Sequence, residues 1–227
     1  METQNIAVGL DIGTTKICCI IGEVIDDEKI ANSLALDAIK RGANSIQFKA
    51  SKPFDPKSLL KGFPGKILLY FQLSFLEANF QTKLAEFCDT DNTVIQLDII
   101  GNLAESGNWF KNLKEDHNQL EKIVAASKNC ISISGDLYQN AGANIPQQLA
   151  YTLAHANEYL NYFGAKVNTK INFNFAVGTN YFFEIAKLRA FRILWKSLLK
   201  EYKIGILNFR FSNLFSRTNV FLIPLFS

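Results

Sequence analysis

Near the start of the chain, Asp11-Ile12-Gly13-Thr14-Thr15-Lys16 combines the residue types of a phosphate cradle. Gly13 lets the backbone come close to a ligand, Thr14 and Thr15 supply hydroxyl and N–H donors, Lys16 neutralises charge, and Asp11 suits hydrated magnesium. Apolar, strand-like residues flank this turn, so the same stretch also fits a plain β-hairpin without nucleotide. Elsewhere the titratable residues offer little chemistry. His117 lies in the charged run Lys114-Glu115-Asp116-His117, and His155 lies among Ala154, Ala156, Asn157 and Glu158; both read as solvated helix residues. Cys18, Cys19, Cys88 and Cys130 form no Cys-x-x-Cys pair, which points to buried free thiols in a reducing compartment rather than to metal ligands.

The elements that would position such groups alternate along the chain. Strands are expected at Ser45 to Ala50, Lys66 to Gln72, Thr93 to Ile100, Cys130 to Ser134 and Ile171 to Val177. Helices are expected around Ile30 to Ile39, Leu76 to Phe87, Trp109 to Ala126, Asn144 to Phe163 and Tyr181 to Tyr202. Asn144 and Gln147 have the spacing of a capping box, with Pro146 in the first turn. On the last helix Phe182, Leu194 and Leu198 read as part of the apolar face. Arg189, Arg192, Lys196 and Lys200 form a solvated basic stripe, and Glu184 with Lys187 is an ordinary helix pair. Trp109 and Trp195 read as packing residues.

Such alternation calls for right-handed β-α-β crossovers and a parallel α/β sheet, either open or closed as a (β/α) barrel. Polar residues at alternate strand positions either line a hydrated or ligand-accepting lumen, which favours the barrel, or crowd strand ends near loops. These are Gln47 and Lys49, Gln96 and Asp98, Ser132 and Ser134, and Asn172 and Asn174. About five or six β-α units fit before the pattern fades, where closure takes eight. The expected organisation is therefore a β-hairpin segment over 1–27, an incomplete TIM-barrel-like domain over 28–204, and an aromatic orphan tail over 205–227.

At 227 residues, with 48% hydrophobic and 20% charged residues, the chain is long enough for one sizeable core. A net charge of +3 implies neither a nucleic-acid surface nor a funnel for acidic substrates. The first residues lack a signal-peptide pattern and no apolar run is long enough to cross a bilayer, so a cytoplasmic location is expected.

Two resemblances follow from these residues. The Asp11-x-Gly13-Thr14-Thr15-Lys16 turn resembles the first phosphate motif of the actin-like ATPases, in particular that of the bacterial division protein FtsA, and this implies ATP with magnesium. A longer one covers Glu28 to Tyr202. Ser132-Ile133-Ser134-Gly135 with Gln139 and Ala141-Gly142-Ala143, Leu149-Ala150-Tyr151-Thr152-Leu153-Ala154, and Glu184-Ile185-Ala186-Lys187-Leu188-Arg189-Ala190 with Trp195 resemble the barrel of the methylmalonyl-CoA mutase family, especially its small subunit. That resemblance implies a TIM barrel threaded by coenzyme A, an adenosylcobalamin domain, and interconversion of methylmalonyl-CoA and succinyl-CoA in propionate metabolism.

The departures from the family pattern choose between its subunits. Where the catalytic subunit has a Tyr-His pair after Ser-Gly, this chain has Asp136 and Leu137; where it has a further active-site His, this chain has Gly178. Leu137 and Gly178 cannot shuttle a proton or hydrogen-bond a thioester as imidazole does. The resemblance thus implies a non-catalytic small subunit with no catalytic or metal-ligating residue, whose heterodimer partner is a large subunit carrying the adenosylcobalamin. An actin-like start, a mutase-like middle and an orphan tail also fit a fused or frameshifted reading frame without a function of its own.

Overall fold

A computed structural model describes residues 11–12, 17–18, 20–23, 28–88, 91–203 and 210–213. A short antiparallel pairing of β1 (Asp11–Ile12) with β2 (Ile17–Cys18) comes first. Seven parallel strands follow, β3 (Ile20–Glu23), β4 (Ser45–Ala50), β5 (Leu68–Leu73), β6 (Thr93–Gln96), β7 (Ile131–Ser134), β8 (Ile171–Phe175) and β9 (Arg210–Asn213). Four pair in the order β3-β4-β5-β6 and three in the order β7-β8-β9. Two backbone bonds bring the groups together at β6 and β7: Ile95 N–H donates to Asn129 O at 2.9 Å, and Ser132 N–H donates to Leu97 O at 3.0 Å. Each strand thus lies beside its sequence neighbour, which is the winding of a barrel rather than the reversed order of a doubly wound sheet. Among the described residues no pairing joins β9 to β3, and no closed barrel is formed.

The helices are α1 (Glu28–Lys40), α2 (Pro56–Leu59), α3 (Ala78–Phe87), α4 (Ile99–Ser106), α5 (Leu113–Ala126), α6 (Gly135–Asn140), α7 (Ile145–Phe163) and α8 (Tyr181–Glu201). Several boundaries differ from the sequence expectation for local reasons. Ile20–Glu23 leaves the hairpin and pairs with β4, because the apolar run Ile20-Ile21 satisfies its backbone along a parallel neighbour. The strand expected to reach Ile100 stops at Gln96. Asp98 accepts from Gly101 N at 2.8 Å and caps α4, turning Ile99-Ile100 into helix. The helix expected from Trp109 begins at Leu113, where Asn112 caps it, and the turn after Ser134 is the helix α6. The capping box at Asn144 forms in both directions, each bond 3.0 Å.

Register explains where the core sits. Phe48, Phe71 and Ile95 stand in one row, and Ile133 with Phe173 in another, on the face turned to the helices. Phe48 and Phe71 stack at 5.6 Å; Phe173 meets Phe191 at 4.7 Å and Trp195 at 5.0 Å. All five aromatics are fully buried, each contributing about 1.5–3 kcal/mol. Trp195 is the packing residue its sequence context predicts.

The opposite face carries the polar residues anticipated as a lumen. Gln47 donates to Gln72 Oε1 at 3.2 Å and to Gln96 Oε1 at 3.0 Å, and Asn172 donates to Ser132 Oγ at 3.1 Å. Gln47, Gln96, Ser132, Asn172 and Asn174 are buried, while Lys49 is exposed. Neutral side-chain bonds between strands thus meet polar demand on this face.

Candidate functional site at the strand ends

Among the described residues, several titratable groups gather past the C-terminal ends of β6, β7 and β8, where ligands bind in parallel α/β folds. Asp98, two residues beyond β6, is the hub. Its carboxylate accepts from Gly101 N at 2.8 Å, from Ser134 N at 3.3 Å, from the Tyr159 hydroxyl at 2.8 Å, and from His155 Nε2 at 2.8 Å. Because Asp98 is the acceptor, Nε2 carries the proton. In neutral imidazole Nδ1 is then the acceptor for the Tyr138 hydroxyl, 3.0 Å away. The result is a relay of Asp98, His155 and Tyr138 that ties β6 to α6 and α7.

His155 is therefore not the solvated residue its neighbours suggest. It is buried, because its partner acid lies 57 positions earlier in the chain. His117 is likewise buried: Nδ1 is 2.7 Å from Leu113 O, and the ring lies against Tyr162 at 4.4 Å and Trp109 at 5.7 Å. Its neighbour Asp116, also buried, accepts from Phe110 N at 2.8 Å and Lys111 N at 3.1 Å, fixing the turn into α5.

Burial shapes the acidities around the hub. It raises the Tyr159 phenol well above its ordinary value and the Tyr138 phenol to about 12, and the Asp98 charge adds to both. Both phenols therefore act as neutral donors. Asp136, in the first turn of α6, is pushed up to about 6 by burial, with Glu105 and Asp98 adding like charge. Its Oδ1 is buried without a hydrogen-bond partner.

A second group forms after β8. Lys187 is buried and donates to Ala176 O at 2.6 Å and to Gln139 Oε1 at 3.4 Å, and it pairs with Glu184. Desolvation lowers the ammonium's pKa, and Glu184 opposes that shift. The pair that reads in sequence as exposed helix support is thus an interior ion pair. It also reaches Gly178, where an added Cβ would stand 3.2 Å from Glu184 Oε1. At Gly135 a Cβ would meet Thr152 Oγ1 at 2.7 Å and Asn174 O at 3.0 Å, so glycine lets α6 lie against β8 and α7.

Asp136 and Leu137 lie side by side on α6 beside the Asp98 group, while Gly178 lies in the turn beyond β8 beside Glu184. The structure thus groups Asp136 and Leu137 with the relay and places Gly178 with the lysine pair. The phosphate-cradle residues divide differently. Asp11 sits in β1 opposite Cys18, and Gly13, Thr14, Thr15 and Lys16 fall outside the described residues. Asp98, Tyr138, His155 and Tyr159 are what sequence reasoning missed. Two signals were present: Asp98 and Gly101 have N-cap spacing, and His155 and Tyr159 stand four apart on α7.

The family profile described as methylmalonyl-CoA mutase matches residues 77–207, more than half of the chain and nearly all of this site. The chain belongs to the methylmalonyl-CoA mutase family. The methylmalonyl-CoA mutase of Cereibacter sphaeroides is 48% identical over 80 residues, covering 33% of this chain and 11% of that protein. The methylmalonyl-CoA mutase large subunits of Streptomyces virginiae and Porphyromonas gingivalis are 46% and 42% identical over the same share of each chain. The Porphyromonas gingivalis small subunit is 37% identical over 90 residues, covering 37% of this chain and 14% of that protein. This mutase-family chain therefore spans between a tenth and a seventh of the length of these relatives.

Proposed function

We propose that the chain is a non-catalytic, small-subunit-type member of the mutase family that pairs with a cobalamin-bearing large subunit and supports its interconversion of methylmalonyl-CoA and succinyl-CoA. The observation that carries this reading is the state of the imidazoles. Asp136, Leu137 and Gly178 stand where the family's catalytic subunit is expected to have its Tyr-His pair and its further histidine. The chain's own histidines are committed elsewhere, His155 through both ring nitrogens and His117 within an aromatic sandwich. Neither imidazole is thus free to face a thioester, which supports the reading that a partner carries the cobalamin chemistry. Tight packing at Gly178 supports the same reading, since a larger side chain there would displace Glu184.

Buried free Cys88 and Cys130, pushed up to about 11 and about 12 mainly by desolvation, suit a reducing, cytoplasmic compartment. Among the described residues no helix is long and apolar enough to cross a membrane.

The test is size-exclusion chromatography of the chain alone and mixed with the Porphyromonas gingivalis mutase large subunit, with turnover assayed on each fraction. A defined complex is expected, with activity in fractions that contain the large subunit and none from the chain alone. Turnover by the isolated chain, or separate elution of the two proteins, would overturn the reading.

A further inference from the structure

Along α8 the inward face is formed by Leu188, Phe191, Trp195 and Leu199, all buried. The outward face carries its arginines and lysines in solvent as expected, but large apolar side chains are exposed beside them. Phe182 is 78% exposed and Ile193 67%, and Phe183 and Leu194 are exposed beside them. At 100° per residue Phe182, Ala186 and Ile193 fall on one line, with Phe183, Ala190 and Leu194 on the adjoining one. Together they form a continuous apolar stripe along the helix. Arg189, Arg192, Lys196 and Lys200, all exposed, border it on one side, and Glu184, the acidic residue of the first turn, is turned inward to Lys187.

We infer that this face is a protein-docking surface for a chain that presents an apolar patch bordered by Asp and Glu. The inference rests on the subunit-pairing reading above, under which that chain is the mutase large subunit. Four large apolar side chains on one helix face give an exposed patch of a few hundred Å², the scale at which such patches mark interaction sites, and a substantial part of the roughly 800 Å² each partner contributes to a stable interface. The cationic border selects among possible occupants. Residues Ile204 to Ser227 contain no Asp or Glu, so the aromatic tail of this chain cannot answer those cations. A second copy docking through the same face would oppose like charges. A partner bearing carboxylates satisfies both the apolar stripe and its border.

The experiment compares the full chain with F182S/I193S and, separately, R189E/K196E, each mixed with the Porphyromonas gingivalis large subunit, with circular dichroism as the control for folding. These side chains lie outside the core, so all three chains are expected to fold alike. The expected result is complex formation by the unaltered chain, binding weakened about tenfold or more by F182S/I193S, and a smaller loss for R189E/K196E that vanishes at high salt. Unaltered binding by both variants while the parent chain binds would overturn this inference and leave the pairing reading standing. Failure of the parent chain to bind would overturn both. Two further outcomes would assign the face to another occupant and also overturn the inference: self-association of the parent that F182S/I193S abolishes, or a rise in hydrophobic-dye binding on F221S/F226S, which would place the tail on it.

Discussion

The two groups of parallel strands satisfy their polar residues in different ways. In the first, β3 to β6, neutral glutamine side chains bond to one another across the strands, and an aromatic stack of Phe48, Phe54 and Phe71 fills the opposite face. Around β7 and β8 the neutral Asn172–Ser132 bond is joined by ionisable groups: Asp98, Asp136, His155, Glu184 and Lys187 cluster where the strands end. A neutral amide that loses a partner forfeits about one hydrogen bond, whereas a buried ionic group that loses its partner bears the whole desolvation cost. The second group should therefore be brittle toward polar substitution where the first is tolerant. It is also the part that the family profile matches most fully.

The largest expected effect tests that contrast directly. Asp98→Ala removes one acceptor from four donors and leaves the His155 Nε2–H and the Tyr159 O–H buried without an acceptor. A loss of about 3–5 kcal/mol is expected, read as a fall in the melting temperature of about 10 °C. Gln96→Leu, which leaves Gln47 its bond to Gln72, should cost about 1 kcal/mol or less. Equal melting shifts for the two variants would break the comparison.

A smaller effect, with a defined sign, concerns Asp136. Its folded pKa of about 6 lies above the ordinary aspartate value of 3.8, so the fold favours the protonated acid. Stability is then undiminished below about pH 4, falls as pH rises through the interval between the two values, and is flat beyond the folded value. Asp136→Asn removes the ionisation. It should leave stability unchanged near pH 4 and raise it by on the order of 1–3 kcal/mol at pH 7. Urea melts of both proteins at the two pH values would show this as a gap that opens with pH. A gap independent of pH would mean that Asp136 is not held in the neutral form by its surroundings.

What was legible in the chain follows the range of each interaction. The capping box at Asn144, the strand at Ile171 and the packing role of Trp195 depend on neighbours within a turn or on simple alternation, and they read directly. The Asp98 hub did not. Ile99-Ile100 after a strand is an apolar run that fits either secondary structure, and the deciding contact, Asp98 to Gly101, competes with strand continuation without leaving a period. His155 looked solvated because its neighbours are small and polar, whereas its burial comes from Asp98, 57 residues away. Phe182 and Leu194 read as part of the apolar face yet stand exposed, because the apolar residues of α8 spread over so wide an arc that periodicity alone does not choose the side. The parallel α/β arrangement was readable from strand and helix alternation, but the departure of Ile20–Glu23 from the hairpin depends on pairing with β4, which alternation does not encode.

The smallest effect sharpens the comparison from the local side. Asn144 accepts from Gln147 N–H, and Gln147 Oε1 accepts from Asn144 N–H, both on the exposed start of α7, the helix that also carries His155 and Tyr159. Asn144→Ala leaves the Gln147 N–H to water rather than to a dry interior, so the expected cost is about 1 kcal/mol, a fraction of that at Asp98 although both act on the same helix. Melting temperatures of the single variants and of the double variant with Asp98→Ala would measure this. Additive losses are expected, because the cap acts at the first turn of α7 and the Asp98 contacts hold its later turns. A cap loss that disappears once Asp98 is gone would mean that the relay positions the whole helix. The brittleness of the second strand group would then extend to its exposed surface.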